Sequence, residues 1–139
     1  MQPLLEGLLR DGLSARLEVT GRSMAPFLRS GDRVTVKPAD ADRLSLGDVV
    51  VFIAGGQALT VHRIVGWSGE AIRPRGDMAR QEDAPLARHE VLGVVTRVER
   101  EGRRLRLGLG PERSFIARLS RLGAFARLAR ICRCGSVAR

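Results

Sequence analysis

From Ala15 to Leu109 the chain alternates apolar and polar residues in short runs, and turn residues interrupt almost every run. Such a pattern constrains the fold more than any single motif. A period of two puts one face of a strand inward and the other toward solvent. Ala15 to Thr20 sets Leu17 and Val19 against Arg16, Glu18 and Thr20, and Arg33 to Lys37 alternates through Val34 and Val36. Val49 to Ile53 is wholly apolar, Gly55-Gly56 is a hairpin signal, and Ala58 to Val65 is the return strand. Ala71 to Arg75, Val91 to Val98 and Leu105 to Leu109 complete the set. Many short strands with glycine-containing turns predict a mainly β domain, barrel-like or built of two sheets.

The two ends read differently. Pro3 to Leu13 carries Leu4, Leu5, Leu8 and Leu9 at helical spacing, with Gly12 weakening its end. Gly110-Pro111-Glu112 opens a second helix, since proline suits the first helical position and an acid suits the N-terminal dipole end. That helix is expected to run to about Ile131. The expected organisation is therefore a β domain over 1–110 and a basic helical tail over 111–139.

Length and charge bound the function. A chain of 139 residues with 44% hydrophobic content can bury a core as one domain. The formal net charge is +9. Residues 1–110 hold 17 Lys and Arg against 14 Asp and Glu, whereas 111–139 hold seven Arg against one Glu. The tail is thus a candidate contact for anionic lipid headgroups, nucleic acid or an acidic protein face. The longest wholly apolar run, Val49 to Ala54, is far short of the ~20 residues a bilayer requires. Glu6, Arg10 and Asp11 break the N-terminal apolar residues, against a signal peptide. A cytoplasmic protein is expected, peripheral at the membrane if the tail engages it. Cys132 and Cys134 are too close for an unstrained bridge and too few for a metal site. No metal and no cofactor are called for.

Few residues offer chemistry. Ser23 lies on a turn bounded by Gly21 and Pro26, where backbone N–H groups can form an oxyanion hole. Serine becomes a nucleophile only when a positioned base takes its proton. The chain has two histidines: His62 lies within the return strand, and His89 lies in a polar segment that reads as surface. Asp77, in a loop after a strand, is placed to orient an imidazole, and Asp83 competes for that role. Taken singly, each of these residues also fits an ordinary structural part: a turn serine, a core histidine, a turn aspartate.

Their order along the chain carries a resemblance. Val19-Thr20-Gly21-Arg22-Ser23-Met24-Ala25-Pro26, Gly31-Asp32, Gly47-Asp48-Val49-Val50-Val51-Phe52, Val61-His62-Arg63-Ile64, Arg75-Gly76-Asp77 and Val91-Leu92-Gly93-Val94-Val95 together resemble the S24/S26-like superfamily of signal peptidases and repressor-type serine peptidases, over residues 16–98. The resemblance implies a barrel of short strands like the repressor-cleavage domain. It implies Ser23 as nucleophile and His62 as base, as in the archaeal and endoplasmic-reticulum type. Asp77 would be the orienting acid, with Asp83 in reserve. Lys37, the only lysine, lies outside the box for the base. Gly21 stands where many signal peptidases have a serine, so the oxyanion hole would rest on backbone N–H groups. Family members bind substrate as an added extended strand. The expected groove is lined by Gly21, Met24, Leu28, Val50 and Phe52. The expected function is a small serine endopeptidase cutting a leader-like or signal-like peptide segment. The rival is a catalytically silent peptide-binding module of the same fold. A DNA-bound repressor fragment is disfavoured, because residues 1–20 are too short for a helix-turn-helix, so nucleic acid is not an expected partner.

Overall fold

The structure is a computed structural model that describes residues 2–106, 109–125 and 127–128. Its elements are α1 (Gln2–Arg10), β1 (Ala15–Glu18), β2 (Arg33–Pro38), β3 (Val49–Ala54), β4 (Ala58–Ser68), β5 (Ala71–Arg75), β6 (Gly93–Arg100), β7 (Arg103–Leu105) and α2 (Arg113–Arg121). Short 3₁₀ turns occupy Ala41–Arg43 and Arg88–Glu90.

The strands form one antiparallel sheet in the order β1-β2-β6-β3-β4-β5, and β7 pairs with β6. The sheet is open, which corrects the expectation of a barrel. Closure would need its two outer strands to pair, and β1 pairs only with β2 while β5 pairs with β4. The outer edge of β5 meets a loop instead, where Ile72 and Leu86 exchange backbone hydrogen bonds of 2.8 and 2.9 Å. β6 serves two neighbours on one edge: Gly93 and Val94 pair with β3, and Val98 to Arg100 pair with β7.

Alternation along β3 explains why the core has two parts. Val49 and Val51 join Met24, Leu28, Val34, Val36, Val95 and Val98, and α1 adds Leu5 and Leu9 to this cluster. Val50 and Phe52 join Leu44, Ile64, Ile72 and Val91 in the other. β3 is thus covered on both faces, which is why its sequence is continuously apolar. α1 ends at Gly12, whose φ of 79° reverses the chain. The amide of Leu13 then reaches back to the Leu8 carbonyl at 2.9 Å, and that of Gly12 to Leu9 at 3.1 Å, the paired bonds of a Schellman cap.

The final strand and helix differ from the sequence reading. The last pairing falls at Arg103–Leu105 rather than Leu105–Leu109, because the tight turn at Glu101-Gly102 starts the return earlier. α2 spans Arg113–Arg121 and buries Ile116, Ala117 and Ser120 as it packs on β4. A Cβ at Gly47 would lie 2.4 Å from the Arg113 carbonyl oxygen, so the start of α2 seats against the backbone before β3. The expected helix continuation through Ile131, together with Cys132 and Cys134, lies outside the described residues. Among the described residues no helix is long and apolar enough to cross a membrane.

Candidate active site

Ser23 sits on an exposed turn between β1 and β2. The turn closes on itself: Ala25 donates to the Arg22 carbonyl at 3.1 Å, and Phe27 and Leu28 donate to that of Met24 at 3.1 and 2.9 Å. Met24 and Leu28 anchor it in the core at 3% exposure each. Gly21 has a φ of 86°, and nothing lies within 4 Å of where its Cβ would be. Backbone conformation, rather than crowding, is what calls for glycine there.

The loop after β5 fastens this turn to β4. Met78 donates its backbone N–H to the Ser23 carbonyl at 2.8 Å, and the Asp77 amide reaches the Met24 sulfur at 3.5 Å. Gly76 lies at the crossing. A Cβ there would be 2.6 Å from the Ser23 carbonyl oxygen, 3.1 Å from Ser23 Cβ and 3.0 Å from His62 Nε2. Ser23 and the imidazole therefore flank one glycine, close enough that a single methyl would collide with both. Among the described residues the Ser23 hydroxyl makes no side-chain hydrogen bond, His62 included.

His62 is 9% exposed and stands edge-on to Phe52, with ring centroids 6.1 Å apart. Its Nδ1 bonds to Asp83 Oδ2. With a carboxylate on Nδ1, the neutral tautomer carries its proton there and leaves Nε2 as the acceptor. The backbone N–H of Asp83 donates to the Pro74 carbonyl at 2.9 Å, which ties this residue to β5. The neighbouring Glu82 forks onto Arg73 at 2.8 and 2.9 Å.

Asp77 is not the partner of His62, which corrects the assignment the motif implied. It is fully buried and takes the guanidinium of Arg63 in a fork, Nε to Oδ1 and Nη2 to Oδ2, both at 2.9 Å. Arg63 also donates to the Gly47 carbonyl at 3.0 Å and lies 5.3 Å from the Phe27 ring centroid. Burial pushes the Asp77 carboxyl above its ordinary range, and the Arg63 fork opposes that shift. The buried Ser120 hydroxyl on α2 adds a weaker opposing influence without reaching hydrogen-bond geometry. Asp77 thus joins the turn, the sheet and the backbone before β3.

The expected groove lining is also corrected. Met24, Leu28, Val50 and Phe52 are 3%, 3%, 0% and 2% exposed and belong to the two core clusters. Their apolar character serves packing; Phe52 meets the edge of His62, and Val50 is the cross-strand partner of His62. Lys37 is exposed on β2 opposite Val94, and His89 is exposed on its 3₁₀ turn. A groove of about 720 Å³ runs between α1, the end of β2 and the segment 89–92, and includes none of Ser23, His62 and Asp83 in its lining.

Sequence reasoning missed Arg75, which is 8% exposed at the end of β5 and hydrogen-bonds four times to carbonyl oxygens. Its position directly before Gly76-Asp77 was the available signal, since a buried arginine must find acceptors.

The geometry can be set beside known proteins. No curated protein matches the chain. A family model described as Peptidase S24-like matches residues 3–96, from α1 into β6, and so takes in Ser23, His62, Asp77 and Asp83. With more than half its length inside that match and the mainly β fold described above, the chain belongs to the Peptidase S24-like family.

Proposed function

We propose that this chain is a serine endopeptidase in which Ser23 is the nucleophile, His62 the general base and Asp83 the residue that orients the imidazole. One observation carries the reading: a Cβ on Gly76 would lie 3.1 Å from Ser23 Cβ and 3.0 Å from His62 Nε2, so both residues border the same glycine, while Nδ1 of the same ring is held by Asp83. A nucleophile beside a base, and the base beside an orienting acid, is the arrangement that acyl transfer needs.

The steps balance with these groups alone. Ser23 Oγ attacks the scissile carbonyl as Nε2 takes its proton. Asp83 steadies the imidazolium that forms. The imidazolium then protonates the leaving amine, and an ester on Ser23 remains. Water, deprotonated by Nε2, hydrolyses that ester and restores the hydroxyl. The tetrahedral oxyanion would be met by backbone N–H groups of the Ser23 turn, each such donor worth about 10²–10³ in rate. The substrate class is an extended peptide segment, leader-like or signal-like. The basic tail, of which α2 is the described part, is a candidate contact with a membrane surface.

An alkyl fluorophosphonate probe tests the assignment. Wild type should be labelled at Ser23 and Ser23→Ala should not, and His62→Gln should slow labelling by about 10²–10⁴-fold. Equal cleavage of leader peptides by wild type and Ser23→Ala would defeat it. Peptide affinity without labelling would instead mark a silent binding module.

A further inference from the structure

We infer that Arg75 is a positioning residue that ties the C-terminal helix to the loop carrying Asp83, so that α2 forms part of the catalytic framework although it lies outside the family match. The inference rests on the Ser23–His62–Asp83 reading. Nε of Arg75 donates to the Ala79 carbonyl at 3.2 Å, and Nη2 donates to the carbonyls of Ala79 and Arg80 at 2.9 and 3.0 Å. Nη1 turns the other way and donates to the Arg121 carbonyl at 2.8 Å.

Each contact has a physical reason. Arg121 closes the last turn of α2, where carbonyls lack intrahelical partners and the dipole is negative. A buried guanidinium satisfies both deficits at once. Gly123, with a φ of 71°, clears the space: a Cβ there would be 3.2 Å from Nη2. On the other side, Ala79 and Arg80 form the middle of the loop between Gly76 and Asp83. Ala79 N–H turns back onto the Gly76 carbonyl at 2.9 Å, and at the far end Asp83 N–H bonds the Pro74 carbonyl of β5 at 2.9 Å. Arg75 supplies the hold between them. Before Ala79 the loop is also held by the Asp77–Arg63 fork and by Met78 N–H on the Ser23 carbonyl; after Arg80, besides Asp83 itself, the side-chain hold is the partly exposed Arg73–Glu82 fork.

The test uses the full chain. The Nδ1 proton of His62, bonded to Asp83, gives an imidazole resonance downfield of the amides, and His89 is the only other histidine. Arg75→Gln should lose or broaden that resonance, and fluorophosphonate labelling should slow by roughly 10–10²-fold, with near-ultraviolet circular dichroism unchanged. Glu82→Gln should keep both readouts within about twofold. Should Arg75→Gln fail to fold, Arg75→Lys decides on the same two readouts, because it keeps the charge while a single ammonium cannot span the Ala79 and Arg80 carbonyls on one side and that of Arg121 on the other. A folded variant with the wild-type resonance and labelling rate would overturn the tie. If wild type is never labelled yet Arg75→Gln loses the resonance, the tie stands and the peptidase reading falls.

Discussion

Replacing the two loop aspartates one at a time should separate stability from chemistry. Asp77→Asn keeps the shape and removes the charge that faces Arg63, whose side chain is 1% exposed. The guanidinium then keeps the Gly47 carbonyl and the Phe27 ring but loses its counter-ion. Breaking a buried pair from one side costs about 3–5 kcal/mol. Against a total stability of roughly 5–15 kcal/mol, that is a large fraction. At about 2–4 °C per kcal/mol, the melting temperature should fall by roughly 6–20 °C. Asp83→Asn removes a carboxylate that is 28% exposed and anchored by its backbone. Its stability cost should stay within about 1 kcal/mol, while serine labelling should slow by about 10²–10⁴-fold. Urea titration followed by tryptophan fluorescence reads the first effect, and probe labelling at a denaturant-free temperature where both variants are folded reads the second. An Asp77→Asn protein with the wild-type urea midpoint, or an Asp83→Asn protein labelled at the wild-type rate, would refute the division of labour between these residues.

Gly76→Ala should be severe, because its methyl would meet the Ser23 carbonyl oxygen at 2.6 Å; labelling should drop by more than about tenfold, and a wild-type rate would show that the crossing is looser than the geometry requires. Asp32 is buried beneath Arg100, which grips it at 2.8 Å through two nitrogens. Burial alone would raise its pKa, but the Arg100 fork and the Arg29 amide hold it below the ordinary value. The stabilisation is therefore fully present above the unfolded pKa near 3.9 and is lost as pH falls through the lower folded value. Urea midpoints should accordingly fall more steeply in wild type than in Asp32→Asn as the pH drops below about 4. Gly47→Ala combines a φ of 92° with a 2.4 Å approach to the Arg113 carbonyl oxygen, and should loosen α2 from the sheet, read as faster amide exchange at Ile116 and Ala117.

Much of this molecule was readable in the alternation of its strands. Val49 to Ile53 is continuously apolar because both faces of β3 are covered, and the Gly55-Gly56 turn fixes which strand returns beside it. The same reading placed Ser23 after β1 and His62 within β4. The sheet's failure to close was not readable, because closure depends on long-range pairing of strands whose local patterns look alike open or closed. The groove assignment failed for a related reason. Met24, Leu28, Val50 and Phe52 are apolar residues beside the site residues in sequence, and composition does not tell an apolar lining from an apolar core.

The choice between Asp77 and Asp83 turns on strand geometry. Both lie in one loop, six positions apart, and both are acids beside a strand that offers a guanidinium and an imidazole. Adjacent residues on a strand point to opposite faces. His62 therefore lies on the side of Val50, Phe52 and Ile64, and Arg63 on the side of Val49, Val51 and Val61. A single carboxylate cannot reach both. The acid nearer β5 goes to the buried guanidinium, where a permanent charge must be matched, and the later one goes to the imidazole. The reverse assignment would leave Arg63 without its fork in the interior, the costlier arrangement. Neutralising Arg63 therefore takes up Asp77, and Asp83, six positions later in the same loop, is the acid that meets the imidazole.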